Sequence, residues 1–172
     1  EGLVQVDDAN AAHSLPPLSL PPLRTIPSCG ASHCVAVTKS LEAVSWATSA
    51  AGSRFGQLGW GGAKPVPYVC GRMAIPEEAG SVASAAAGDA HSAIVTEGGG
   101  LWLCGSDRWT QLGLEKFWSK GHVWQRTPQL CGSLRERGVH VVSAACGSDH
   151  TLALDDGGRV WAFGRGEHGQ LF

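Results

Sequence analysis

Gly88–Gly113 reads GDAHSAIVTEGGGLWLCGSDRWTQLG, and its pattern returns twice in the chain. Gly147–Phe172 reads GSDHTLALDDGGRVWAFGRGEHGQLF, and Gly30–Gly59 reads GASHCVAVTKSLEAVSWATSAAGSRFGQLG. Each copy holds Gly-x-x-His, an alternating apolar run, a turn, a Trp-centred run and a Gln-Leu ending. The leading glycine steps from 30 to 88 to 147, a period of 58 and then 59 residues. Recurrence at a fixed period decides architecture before any single motif does. Pro67-Tyr68-Val69-Cys70-Gly71 and Pro128-Gln129-Leu130-Cys131-Gly132 form a second series, 61 residues apart.

The copies read as strands. His91–Val95 and His150–Leu154 alternate between small or polar and apolar residues, the period of a strand with one face more buried. Asp155-Asp156-Gly157-Gly158 and Glu97-Gly98-Gly99-Gly100 supply glycines for a positive-φ turn and predict tight hairpins. The return runs Leu101-Trp102-Leu103 and Val160-Trp161-Ala162-Phe163 are aromatic and branched, which favours strands. Val82–Ala87 and Val139–Cys146 read as the strands leading into Gly88 and Gly147. In the first copy, Lys39-Ser40-Leu41-Glu42-Ala43 has no glycine and four extra residues precede Gln57. A looser turn and an irregular loop are expected there. Trp46, Trp102 and Trp161 are expected at one repeat position in the core, with Trp102, Trp161, Ile94, Leu103, Leu112, Leu152 and Leu154 mostly buried.

Gly-x-x-His, a Gly-closed hairpin and Gly-Gln-Leu-Gly at this period resemble the regulator of chromosome condensation repeat. The resemblance covers about Thr25–Phe172. It implies an all-β propeller built from four-stranded blades, commonly seven in that family. With about three copies in the chain, the expectation is an incomplete propeller. Residues 1–24 are a Pro-rich blade connection, and residues 25–81, 82–138 and 139–172 are the repeats, the last one truncated. The absence of an initiator Met before Glu1 and the ending inside a Gln-Leu motif point the same way.

Composition narrows the function classes. The 172-residue chain carries a net charge of −2, so no global basic field draws it to nucleic acid. No apolar run is long enough to span a bilayer, and no basic-then-apolar leader is present. An intracellular site is expected. The six cysteines are expected to be reduced core thiols, since copies of one repeat position fall in different blades, too far apart to bridge. Cys29, His33 and Cys34 make the only metal-like grouping, without a partner Cys-x-x-Cys, and no metal or cofactor is expected.

Gly164-Arg165-Gly166-Glu167-His168-Gly169 spells GxGxxG. A dinucleotide fingerprint needs those glycines to open a helix in a βαβ unit. Here the string aligns with Gly105–Thr110 of the preceding copy, and it is rejected. His33, His91 and His150 recur once per repeat, so they lie in separate blades and cannot assemble with a nucleophile and an orienting group. They read as structural, with Gly30, Gly88, Gly147, Gln57, Gln111 and Gln170. The expected roles are a His bonding backbone in a tight turn and a Gln satisfying backbone between blades.

The least repeat-like stretch is residues 114–127, LEKFWSKGHVWQRT. Aromatic and Arg residues are enriched at interface hot spots, and loops on rigid scaffolds often carry function. Phe117, Trp118, Lys120, His122, Trp124 and Arg126, with Arg108, are the candidate partner-binding residues. The expected function is a non-enzymatic protein-interaction scaffold, part of a larger protein or assembly. Its partners are other protein chains, including ones that complete the propeller. The alternatives are guanine-nucleotide exchange on a small GTPase and chromatin or nucleic-acid binding. The family's founding member exchanges nucleotide through a protruding hairpin, and no equivalent insertion is found here.

Overall fold

Each of the three His motifs opens a hairpin. The computed structural model describes residues 18–62, 68–114 and 124–171. In blade 1, β2 (His33–Val37) pairs with β3 (Ala43–Ala47), flanked by β1 (Ser28–Cys29) and β4 (Gly71–Arg72). In blade 2, β5 (Val82–Ala87), β6 (His91–Thr96), β7 (Leu101–Ser106) and β8 (Trp124–Leu130) run in sheet order. In blade 3, β9 (Val141–Cys146), β10 (His150–Asp155) and β11 (Val160–Gly164) form three strands among the described residues. Every named pairing is antiparallel. The one α-helix among the described residues, α1 (Gly132–Glu136), lies in the connection between blades 2 and 3.

The hairpin turns share one geometry. Gly99 N–H donates to the Thr96 carbonyl and Thr96 N–H to the Gly100 carbonyl, and the same pair of bonds joins Gly158 to Asp155 and Asp155 to Arg159. This is a three-residue loop with its last residue left-handed, and Gly99 and Gly158 have φ of 76° and 79°. The first copy departs from expectation. Thr38–Glu42 closes with the same two bonds, and Leu41 takes the glycine's place at φ 62°. One side chain reinforces each turn: Thr38 Oγ1, Thr96 Oγ1 and Asp155 Oδ1 accept from the N–H of Glu42, Gly100 and Arg159. Because the turn is conserved in length, all four extra residues fall between β3 and Gln57, where a 3-10 turn (Ala50–Ser53) takes them up.

Register corrects the tryptophan alignment. His33 pairs with Ala47, His91 with Gly105 and His150 with Gly164. Trp46 therefore corresponds to Cys104 and Phe163, two places beyond Trp102 and Trp161. Trp46 is buried, but Trp102 and Trp161 are only half-buried.

Alternation along the strands gives each blade two apolar faces, one per neighbour. Val35, Val37 and Ala43 of blade 1 pack with Val82, Ile94 and Cys104 of blade 2. Ala93, Val95, Leu101 and Leu103 of blade 2 pack with Val141 and Ala153 of blade 3. The connections add to these clefts: Met73 and Ile75 before β5, Leu134 and Val139 before β9. Leu18, Leu20 and Leu23 do the same on the outer face of blade 1, against Cys34, Ala36, Val44 and Trp46.

Candidate functional site

The motif glycines let the blades approach. Gly30, Gly88 and Gly147 each donate their N–H to the carbonyl of the His three residues on, at 2.9 Å. A Cβ at Gly88 would strike the His91 ring and the Gly147 carbonyl, and one at Gly30 would strike the Gly88 carbonyl. Only glycine fits where backbones meet this closely.

That approach places the His of one blade against a hydroxyl of the next. His33 Nε2 lies 2.8 Å from Ser92 Oγ, and Ser92 Oγ donates to the Gln57 carbonyl at 2.8 Å. His91 Nε2 lies 3.0 Å from Thr151 Oγ1, which donates to the Gln111 carbonyl at 2.7 Å. A hydroxyl has one hydrogen. With that hydrogen on the Gln carbonyl, the oxygen must accept from the imidazole, so Nε2 carries a proton in both rings. All six residues of these bridges are buried. Burial pushes His33 and His91 down to about 4. Their Nδ1 atoms have no hydrogen-bond partner among the described residues, and the backbone of His91 beside His33, and of His150 beside His91, only partly offsets burial.

The expected histidine and glutamine roles are thus corrected in detail. His33 and His91 bond a side chain across the junction rather than backbone within a turn. The Gln side chains brace their own loops: the Oε1 atoms of Gln57, Gln111 and Gln170 accept from the N–H of Phe55, Trp109 and His168. The Gln57 and Gln111 main-chain carbonyls make the inter-blade contact. Ser92 and Thr151 were missed, although a hydroxyl residue directly after the motif His in two of three copies was visible in the sequence.

Blade 3 turns one face away from the described chain. Leu152, Leu154, Val160 and Ala162 occupy the places of Ala93, Val95, Leu101 and Leu103. In blade 2 those four residues are at most 2% exposed under blade 3. Here Leu154 is 38% and Val160 55% exposed, while Leu152 is half-buried, so the expected burial of Leu154 fails. Among the described residues, no further strand packs on that side. His150, at the head of β10, is likewise half-buried.

Of the candidate partner residues, Phe117, Trp118, Lys120 and His122 lie outside the described residues. Trp124 and Arg126 start β8 and are exposed, and Trp124 stands opposite Ser106 in register. Arg108 is exposed in the next turn, with its guanidinium 5.5 Å from the Trp109 ring centre. Arg165 of blade 3 covers the same ring at 4.6 Å. Among the described residues no cluster of three potential metal ligands occurs. The described cysteines are free thiols, and Cys29 is exposed rather than part of a core.

An all-β row of blades, each bolted to the next through a glycine approach and a His-hydroxyl-carbonyl bridge, is a propeller-type repeat array of incomplete extent. Models of the regulator of chromosome condensation (RCC1) repeat match residues 98–154 and 141–170. Residues 98–170 are thereby identified as RCC1 repeats. It is 36% identical to human E3 ubiquitin-protein ligase HERC2 over 83% of its length. It is 35% identical to mouse secretion-regulating guanine nucleotide exchange factor over 80% of its length. The chain spans 3% and 28% of those two relatives, and 12% of the rat probable E3 ubiquitin-protein ligase HERC4. Among solved structures, yeast RCC1 (Prp20) bound to Kap60 superposes with a TM-score of 0.74 at 25% identity, covering 90% of this chain and 35% of that one. The HERC ligases match in a small fraction of their length, so the likeness concerns the repeats. No helix among the described residues is long and apolar enough to cross a membrane.

Proposed function

We propose that the chain is a non-enzymatic interaction scaffold whose binding face is the outer sheet surface of blade 3. One observation carries this reading: Leu152, Leu154, Val160 and Ala162 form the surface that blade 2 buries against a following blade. An exposed apolar face of this kind marks an interaction site. The partner that fits it is another blade of the same type, supplied by a longer form of the polypeptide or by a second chain. Exposed Arg108, Trp124 and Arg126 form a second contact surface for protein, and Phe117, Trp118, Lys120 and His122, which lie between Arg108 and Trp124 in sequence, belong to the same proposal. The intracellular setting expected from the sequence belongs to this reading.

The test is co-purification of tagged native protein, with Leu154→Asp and Val160→Asp combined. The variant should keep its own fold, measured by its unfolding midpoint, and lose its associated chains. Recovery of the same chains would refute the blade-face reading. Nucleotide exchange is the second reading, favoured by the likeness to the secretion-regulating exchange factor. A structure of Prp20p is described together with its binding to Gsp1p and histones. Acceleration of labelled GDP release from a small GTPase would replace the scaffold reading with exchange activity.

A further inference from the structure

The first blade sets two cysteines against each other. Cys29 of β1 is opposite Cys34 of β2 in register. Gly30 N–H donates to the His33 carbonyl at 2.9 Å, so the adjoining pair 29/34 is of the non-hydrogen-bonded kind. Such pairs bring Cα atoms to about 4.5 Å, within the roughly 4.4–6.8 Å that a disulfide spans. Directly opposed residues project from the same side of a sheet. Cys29 is exposed and Cys34 buried. The same two places hold Ala87 and Ser92 in blade 2, and Cys146 and Thr151 in blade 3. Among the three blades, the dithiol is particular to the first.

We propose that Cys29 and Cys34 are a reversible oxidation site, closed to a disulfide by a small disulfide oxidant such as glutathione disulfide. The accessible Cys29 thiolate attacks one sulfur of the oxidant, whose S–S bond breaks, and one glutathione leaves as thiolate. Cys34 then loses its proton to solvent and attacks the Cys29 sulfur. The mixed S–S bond breaks and the second glutathione leaves. Two cysteine thiols are oxidised, one glutathione disulfide is reduced to two thiols, and the two protons released are taken up by the departing thiolates. The order follows from access. Burial, and next to it the Cys29 thiol, push Cys34 up to about 12, so the buried sulfur reacts second, with the adjacent mixed disulfide held in place. The product ties β1, a strand of two residues, covalently to β2.

Both cysteines lie between Arg24 and Lys39, so trypsin releases them in one peptide, Thr25–Lys39. The full native chain is treated with glutathione disulfide, blocked with N-ethylmaleimide in denaturant, digested and weighed. The expected product is that peptide short of two hydrogens, with neither glutathione nor blocking group attached. Ring closure should run about tenfold faster or more in the native chain than in concentrated urea, because the sheet pre-aligns the sulfurs. Cys34→Ser should stop at a single glutathione on Cys29. Three outcomes overturn the proposal: an unreactive peptide, a wild-type chain that retains glutathione on Cys29 without closing, or closure no faster in the native chain than in urea. The wild-type measurements decide the matter even if the variant does not fold.

Discussion

His33 Nε2 and Ser92 Oγ stand 2.8 Å apart across the first blade junction, 59 residues distant in sequence. Ser92→Ala would strip the buried imidazole N–H of its acceptor and leave the Gln57 carbonyl with only the weak Cys104 thiol donor. A loss of about 1–3 kcal/mol is expected, read from urea unfolding, with Thr151→Val giving a similar loss at the second junction. Unchanged midpoints in both variants would remove these bridges from the forces that join the blades.

Acid should loosen the array. His33 and His91 are held at about 4 by burial, against about 6.5 in an unfolded chain. Asp89 pulls His33 up against this burial, while His33 and His150 push His91 further down. Above the unfolded value both states are neutral and stability is independent of these groups. As pH falls from 6.5 towards 4, the unfolded chain takes up protons that the native chain refuses. Stability then drops by about 1.4 kcal/mol per pH unit for each histidine. Unfolding free energy measured between pH 7 and 5 should fall, and should fall less steeply in His91→Asn. A flat profile in the wild type would contradict the buried neutral rings.

Two side chains occupy left-handed backbone that other copies give to glycine. Leu41 (φ 62°) sits where Gly99 and Gly158 stand, and Thr110 (φ 62°) where Gly56 and Gly169 stand. A left-handed residue with a Cβ costs about 1–2 kcal/mol. Thr110→Gly should stabilise by up to about 1 kcal/mol once chain entropy is offset. Leu41→Gly should gain less, since the half-buried Leu side chain is lost. Destabilisation by Thr110→Gly would show that strain at that turn is negligible.

Val95 and Leu154 hold the same repeat position, at 1% and 38% exposure. Val95→Asp should unfold the chain or cost several kcal/mol, because it buries an unpaired carboxylate. Leu154→Asp should stay within about 1 kcal/mol in the isolated chain. Thermal melts of the two variants compare one position with and without a neighbour. Equal destabilisation would mean that blade 3 is covered by something other than a further blade.

The all-β fold and its hairpins were legible because His, turn and Gln recur at fixed spacing, and tight turns leave few ways to fold such a pattern. What escaped depended on register and three-dimensional approach. Trp46 looked equivalent to Trp102 because both are the only Trp in their run, yet the extra residues lay after the strand rather than in the turn. The Leu41 turn looked loose because its residues lack glycine, and tertiary packing overrode that local preference. Ser92 and Thr151 looked like ordinary strand residues, since their partners come from the preceding blade. The opposition of Cys29 and Cys34 follows from the short Gly30–His33 turn, which a reading confined to separate repeat copies passes over.

The two halves of each bridge are also neighbours in the chain. His91 bonds forward to blade 3 while Ser92, the next residue, receives from blade 1. Alternation along one strand sends the two in opposite directions. A gene segment one period long therefore carries both a plug and a socket wherever its ends are cut. Duplication in tandem yields a working joint at once, with no need for two separate mutations to meet. Cys34 breaks the set: the first blade offers a forward plug in His33 but a thiol in place of the socket hydroxyl. A lineage could lengthen this array by copying its second or third unit, whereas copying the first would insert a junction that lacks its hydroxyl.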